Sequence, residues 1–302
     1  MPSDVKQFPN FLPAAVRELT EATSIYLAQS IEQIAITTPL NPEPIITSYI
    51  GQGSGGTPIL MIHGFDSSVL EYRRLLPLLA EQNETWAVDL LGFGFTERPA
   101  KGKLSPVEIK THLYYFWKSQ INRPVILIGA SMGGAAAIDF TLSYPECVQN
   151  LVLIDSAGLA QGSFAAKLMF PPFDYLATEL LRSPKIRQSI SRAAYKNKTL
   201  ASIDAEVCAA LHLECQNWGQ SLIAFTKSGG YTAFRFTKLA EIKQPTLILW
   251  GDSDKILGTE DGRRFKRAIP NSQLIWIPAC GHVPHLEQPQ ITAQHILHFA
   301  QT

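Results

Sequence analysis

The 302 residues carry 26 Lys+Arg against 26 Asp+Glu, so the formal net charge is zero and no global attraction to nucleic acid follows. Hydrophobic residues make up 46% and charged ones 17%, the balance of a chain that builds one large domain, or a core with an insertion. Cys147, Cys208, Cys215 and Cys280 form neither a C-x-x-C pair nor a metal-ligand spacing, so reduced, mostly buried thiols are expected, with no metal site and no cofactor.

In chain order, the N-terminus has neither a basic start nor an apolar signal core, and no apolar run approaches the roughly 18 residues of a spanning helix. An intracellular protein is expected, with peripheral membrane contact left open. Residues 1–45 read as an N-terminal helical segment. Over 12–36, Leu12, Val16, Leu19, Tyr26, Leu27, Ile31 and Ile34 fall near one helical stripe. That stripe either packs on the body of its own protein or meets a membrane or partner.

Six short apolar runs follow: "PILMIHGF" (58–65), "TWAVDLLG" (85–92), "VILIGAS" (125–131), "LVLIDSAG" (151–158), "TLILWGDSD" (246–254) and "LIWIPACGH" (274–282). Runs this short and rich in Ile, Leu and Val are expected as parallel strands buried on both faces. The intervals Val69 to Gln82 and Pro106 to Gln120 carry helical patterning, giving βα alternation and a mostly parallel, doubly wound sheet. Ligands of such sheets bind at the carboxyl ends of the strands. The alternation breaks between 159 and 237, where helical spacing without a clear strand predicts an inserted helical cap. The core is then 46–158 and 238–302.

The chemistry centres on Gly129-Ala130-Ser131-Met132-Gly133, a G-x-S-x-G between an apolar strand and a small-residue helix start. A nucleophile on so sharp a turn needs glycine neighbours, and the helix N-terminus beneath it favours developing negative charge. Serine needs a base. His282, in "PACGHVPHLEQP" past the last strand, is the best placed; His285 reads as a spare surface histidine, and His63 as structural beside the loop after an earlier strand. The base needs an anion. Asp254 in "WGDSDKI" is preferred, with Asp252 and Asp155 as the alternatives. Oxyanion donors are expected from the N–H groups of Phe65, in "HGFDSS", and Met132. "DLLGFGFTERP" (89–99), with Asp89, reads as a tight turn supporting that loop. The order Ser131, Asp254, His282 is that of an α/β-hydrolase fold, and serine at the elbow argues against the dehalogenases and epoxide hydrolases that place aspartate there.

The segments "GFDSSVLEYRRLLPLLAEQNETWAVDLLGFGFTERP" (64–99), "FWKSQINRPVILIGASMGGAAAIDF" (116–140), "TKSGGY" (226–231) and "TLILWGDSDKI…CGHVPHLEQP" (246–289) resemble chlorophyll dephytylase, a serine α/β-hydrolase of plants and cyanobacteria. "GFDSS-x-LE-x-RR" and "SGGY" are more diagnostic than the triad motifs, because catalysis alone does not require them. The resemblance implies removal of phytol from chlorophyll to give chlorophyllide, at or near the thylakoid membrane or in the cytosol, within chlorophyll catabolism. It implies Ser131, Asp254 and His282 as catalytic triad and Phe65 and Met132 as oxyanion hole. The magnesium would belong to the substrate. A phytyl chain needs an apolar groove, for which the cap offers Leu168, Met169, Phe170, Phe173, Tyr175, Leu176, Leu180, Leu222 and Phe225, or else these form the cap's own core. The rival readings are a carboxylesterase or lipase for another long apolar ester, an acyltransferase, and a hydrolase-fold binding protein whose triad is unused.

Overall fold

A computed structural model describes residues 7–98, 103–159, 173–231 and 233–301. One eight-stranded sheet organises them. Its strands are β1 (Glu32–Thr38), β2 (Asn41–Gln52), β3 (Ile59–Ile62), β4 (Thr85–Val88), β5 (Val125–Ala130), β6 (Val148–Ile154), β7 (Thr246–Gly251) and β8 (Ser272–Ile277), in the order β1-β2-β4-β3-β5-β6-β7-β8. From β4 to β8 every pairing is parallel, while β1–β2 and β2–β4 are antiparallel. All residues of β3, β5 and β7 are buried, as expected of strands covered on both faces. The parallel strands fall within or overlap the six apolar runs.

Helices α1 (Ala22–Gln29), α2 (Leu76–Ala80), α3 (Pro106–Gln120) and α4 (Met132–Ser143) follow in chain order. Ser105 starts α3 by accepting the Val107 N–H at 3.2 Å, with Pro106 at the first helical position. One large buried cluster lies against the side of the sheet that carries α3 and α4; a second joins α2 and the N-terminal segment to the other side.

The N-terminal segment differs from the expectation of one helix over 12–36. A single turn at Ala14–Glu18 and the eight residues of α1 are helical, and 32–52 form an antiparallel hairpin on the sheet edge. The β-branched run "IAITT" favours a strand, and partial coincidence of Leu27, Ile31 and Ile34 with helical spacing hides it. The stripe does not face outward. Leu12, Val16, Leu19, Leu27 and Ile31 are buried in the second cluster, and Tyr26 alone of the fully turned-out positions is exposed. This segment packs on its own protein.

Between β6 and β7 the chain makes a helical excursion, described over α5 (Phe173–Arg182), α6 (Pro184–Ala194), α7 (Ile203–Ala210) and α8 (Trp218–Lys227). The Phe234 N–H donates to the Gly158 carbonyl at 2.8 Å, joining the two ends of the excursion. Asp204 of α7 accepts from the backbone of Thr20 and Glu21 at 2.9–3.0 Å, tying the cap to the start of α1. Among the described residues, no helix is long and apolar enough to cross a membrane.

Candidate active site

β5 ends at Ala130, and the next residue takes φ 50°, ψ −120° before α4 begins at Met132. That residue is Ser131. Its left-handed backbone is strained for a side chain, and close packing on both sides sustains it. A Cβ on Gly129 would lie 2.2 Å from the Gly133 carbonyl oxygen, and one on Gly133 would lie 2.1 Å from that of Ile62. Both positions therefore exclude any larger residue. The Ser131 N–H donates to Ile154 at 3.0 Å and its carbonyl accepts from Gly134 and Ala157, so the turn is braced by α4 and by the end of β6.

His282 lies past β8. Its Nδ1 stands 2.9 Å from Asp254 Oδ2, while Asp254 Oδ1 accepts the N–H groups of Ile256 at 2.7 Å and Leu257 at 3.2 Å. Burial alone would raise the Asp254 carboxyl. The His282 hydrogen bond and charge, with the two amides, outweigh it and hold the group below its ordinary value. The His282 loop is fixed from the cap, because its own N–H donates to the Ala194 carbonyl at 2.7 Å. Glu287 adds to this by accepting from Gly281 at 2.8 Å, Lys196 at 2.9 Å and Asn197 at 2.5 Å.

The two alternative acids are engaged elsewhere. Asp252 accepts from Ala279 and Cys280 at 3.0 and 3.3 Å and braces the turn before His282. Asp155 is fully buried at the end of β6, with its carboxyl on the Gly251 N–H. Burial and then the charge of Asp254 push it well above the usual carboxylate range. Asp155, Asp254 and His282 bring ligand-type atoms within 4.8 Å of one another, the one grouping among the described residues able to hold a metal ion. The bonds just given occupy those atoms.

Ser131 and His282 line one cavity of about 320 Å³. A larger one, about 480 Å³, lies between the β1–β2 turn and α8 and contains none of the three residues. Phe65 also lines the smaller cavity, on the loop after β3, and Gly64 packs so that a Cβ there would sit 3.5 Å from Ser131 Cβ. Two carboxylates pin this loop. Glu71 accepts the Gly64 N–H at 2.8 Å and pairs with His285 at 3.1 Å. Although burial opposes it, the His285 hydrogen bond and charge, with His63 and Ser67, hold Glu71 down to about 2. His285 is 1% exposed and so is no spare surface histidine; its Nε2 faces the Glu71 carboxylate.

Asp66 has φ 49° and is buried next to Phe65. Its Oδ1 accepts from His212 Nε2 at 2.9 Å and Trp218 Nε1 at 2.7 Å, and its Oδ2 from both terminal nitrogens of Arg187 at 2.8 and 3.0 Å. Three cap segments thus converge on one loop carboxylate. His63 is buried with Nδ1 on the Gly64 carbonyl and Nε2 accepting from Leu90, and burial pushes its ring down to about 4. Asp89 accepts the N–H groups of Val69 and Phe95, each at 2.7 Å, and so supports the loop as the sequence suggests.

The expected groove lining fares differently. Leu168, Met169 and Phe170 lie outside the described residues, as does the side chain of Phe173. Tyr175, Leu176 and Leu180 project to solvent at 65%, 57% and 55% exposure and are not in the cavity wall. Leu222 and Phe225 are buried in the core, Phe225 stacking near Phe65 and Phe93. The apolar wall comes instead from Leu181, Ile190, Ala205, Ile256 and Leu286. Amphipathic α5 shows its two faces in sequence, but which one meets the cavity depends on contacts remote in the chain. The roles of Asp66, Arg187, His212 and Trp218 were likewise missed, although Asp66, like Glu71, Arg73 and Arg74, lay in a segment already singled out.

Residues 59–295 match the model of the alpha/beta hydrolase family. The chain is 32% identical over 300 residues to the alpha/beta hydrolase domain-containing protein VTE7 of Arabidopsis thaliana, spanning 97% of this chain and 90% of that one. It is 27% identical to lipase 1 of Psychrobacter immobilis, over 80% of this chain and 75% of that one. Carboxylesterase CesB of Bacillus subtilis superposes with a TM-score of 0.76 at 20% identity, over 94% and 95% of the two chains, a likeness of fold. An eight-stranded, mostly parallel sheet, serine at its elbow and a family match across most of the sequence agree: the chain belongs to the alpha/beta hydrolase family.

Proposed function

We propose that the protein is a serine carboxylic-ester hydrolase that removes phytol from chlorophyll through an acyl-enzyme at Ser131. The observation that carries the ester chemistry is the pairing of a strained, glycine-flanked Ser131 with an Asp254-bound His282 in one cavity. His282 takes the Ser131 proton through Nε2 as Oγ attacks the ester carbonyl, and Asp254 stabilises the imidazolium that forms. The Phe65 and Met132 N–H groups receive the tetrahedral oxyanion. His282 then protonates the departing alcohol and activates the water that releases the acid.

The pigment assignment is supported by the "GFDSS-x-LE-x-RR" segment, whose Asp66 and Glu71 hold the Phe65 loop and whose Arg74 bonds the Leu286 carbonyl. A wall that is mostly apolar suits a long hydrocarbon, which gains about 0.8 kcal/mol per buried methylene. Peripheral contact with the thylakoid surface falls to the cap, where Tyr175, Leu176, Leu180, Ile186, Ile190 and Ile203 are exposed. Lipase-like action on another long apolar ester is the second reading, favoured by the similarity to lipase 1. Chromatography of chlorophyll incubated with purified protein decides: chlorophyllide formed by the wild type and absent with Ser131→Ala supports the proposal. Turnover of long-chain p-nitrophenyl esters without chlorophyllide assigns the second.

A further inference from the structure

Arg73 lines the cavity that holds Ser131 and His282, yet it is 2% exposed. Its Nη1 reaches only the Leu70 carbonyl, at 3.4 Å, and its Nε and Nη2 have no partner in good hydrogen-bond geometry among the described residues. Those two atoms form one edge of the guanidinium, the fork that grips a carboxylate with two parallel hydrogen bonds. The neighbouring Arg74 shows the contrast, since it is paired with Glu21 at 2.7 Å and bonded to the Leu286 carbonyl. Beside Arg73 stand the Cys208 thiol and the Tyr195 hydroxyl, the latter close enough to share a hydrogen bond with it; neither is a carboxylate.

The other charges of the wall are already matched. Asp66 holds Arg187, and Glu71 holds His285. Among the described residues, Arg73 is the cation of this wall with no carboxylate in ion-pair contact; Glu21, whose charge it feels, is paired with Arg74. A buried guanidinium is costly without an anion, so its retention at the catalytic cavity calls for a ligand that supplies one.

We propose that Arg73 is a carboxylate-binding subsite of the catalytic cavity, receiving the oxyanion of a ligand while Ser131 works on the ester. The inference rests on the reading of Ser131 as an ester-hydrolysing nucleophile but not on chlorophyll as substrate. The carboxylate has two sources, a second acid on the ester itself or the acid released by hydrolysis.

The test compares p-nitrophenyl hydrogen glutarate with p-nitrophenyl valerate, of equal acyl length and lacking the acid, in the wild type, Arg73→Gln and Arg73→Lys. The kcat/KM ratio of the two esters is read within each protein, so a general loss of activity cancels. A second acid on the substrate predicts that the ratio falls roughly tenfold to a hundredfold in Arg73→Gln, and less in Arg73→Lys. The product carboxylate predicts an unchanged ratio, with inhibition by valerate weakened about tenfold. If both the ratio and the inhibition are independent of Arg73, the subsite does not exist. Should Arg73→Gln fail to fold, Arg73→Lys, which keeps the charge and loses the fork, is read by the same criteria. Calorimetric titration of glutarate needs no turnover, so it judges the subsite even if wild-type protein cleaves neither ester and takes no label at Ser131. Equal glutarate affinity in wild type and variants overturns the proposal.

Discussion

The rim of the sheet and the wall of the cap face the same cavity, but different forces hold them. At the rim, Ser131, Asp254 and His282 sit at the ends of β5, β7 and β8, placed by strand register, two glycines and local backbone amides. On the cap side, position comes from long-range pairs that converge on Asp66 from residues 121 to 152 positions away. In the proposed mechanism the chemistry is therefore built on the sheet rim, and the grip of the cap on the Phe65 loop is carried by one buried carboxylate. Substrate fit and catalytic geometry are adjustable separately only as far as that carboxylate allows.

Changes at the rim should cost most. Asp254→Asn should lower kcat on a soluble ester by about three orders of magnitude through loss of the imidazole's anionic partner. Asp155→Asn, which keeps the shape of the side chain, should cost less than about tenfold; similar losses in both would erase the distinction between the two acids. Gly133→Ala should destabilise by roughly 3 kcal/mol or more in urea unfolding, because the new methyl meets backbone that cannot yield.

A blow to the tie between the regions should be intermediate. Asp66→Asn strands the Arg187 guanidinium and should cost about 3 kcal/mol of stability. It should also lower kcat more than it raises KM, since it loosens the Phe65 donor rather than the apolar wall. A pure KM effect would show that the cap sets binding alone.

A smaller effect comes with acid. His63 and His112 are buried, and burial holds each ring down to about 4, below the ordinary value near 6.5. The unfolded chain takes up those protons first, so their contribution is whole above about pH 6.5 and is lost as pH falls towards 4. Each histidine should contribute on the order of 1 kcal/mol per pH unit in that window. His112, bonded to Thr47 at 2.8 Å, is remote from the cavity, and His112→Gln should flatten the decline of Tm between pH 6.5 and 5. An unchanged slope would mean that other groups govern it.

The least effect is expected on the outer face of the cap. Leu176→Ser and Leu180→Ser should change stability by less than about 0.5 kcal/mol and leave soluble-ester turnover alone. Binding to liposomes should nevertheless weaken if this face meets the membrane.

What could be read from sequence follows the same division. The apolar runs reveal the parallel strands because burial on both faces leaves β3, β5 and β7 no charged positions, and G-x-S-x-G marks its turn because only glycine fits there. The hairpin of β1 and β2 lies on the sheet edge with alternating exposure, so its pattern is weak and overlaps helical spacing. His285 looks free until Glu71 is seen against it, and Tyr175, Leu176 and Leu180 look like lining until α5 is seen to turn them outward. Pairings of that kind are properties of the tertiary structure, which no short stretch of chain records.

The central claim is that His282 activates Ser131. Intact-mass kinetics of a fluorophosphonate probe measure it most directly. One adduct, mapped to Ser131, should form on the wild type, and its rate should fall by about 10²-fold or more in His282→Gln. Equal labelling rates in the two proteins, or an adduct on any other residue, would contradict the account.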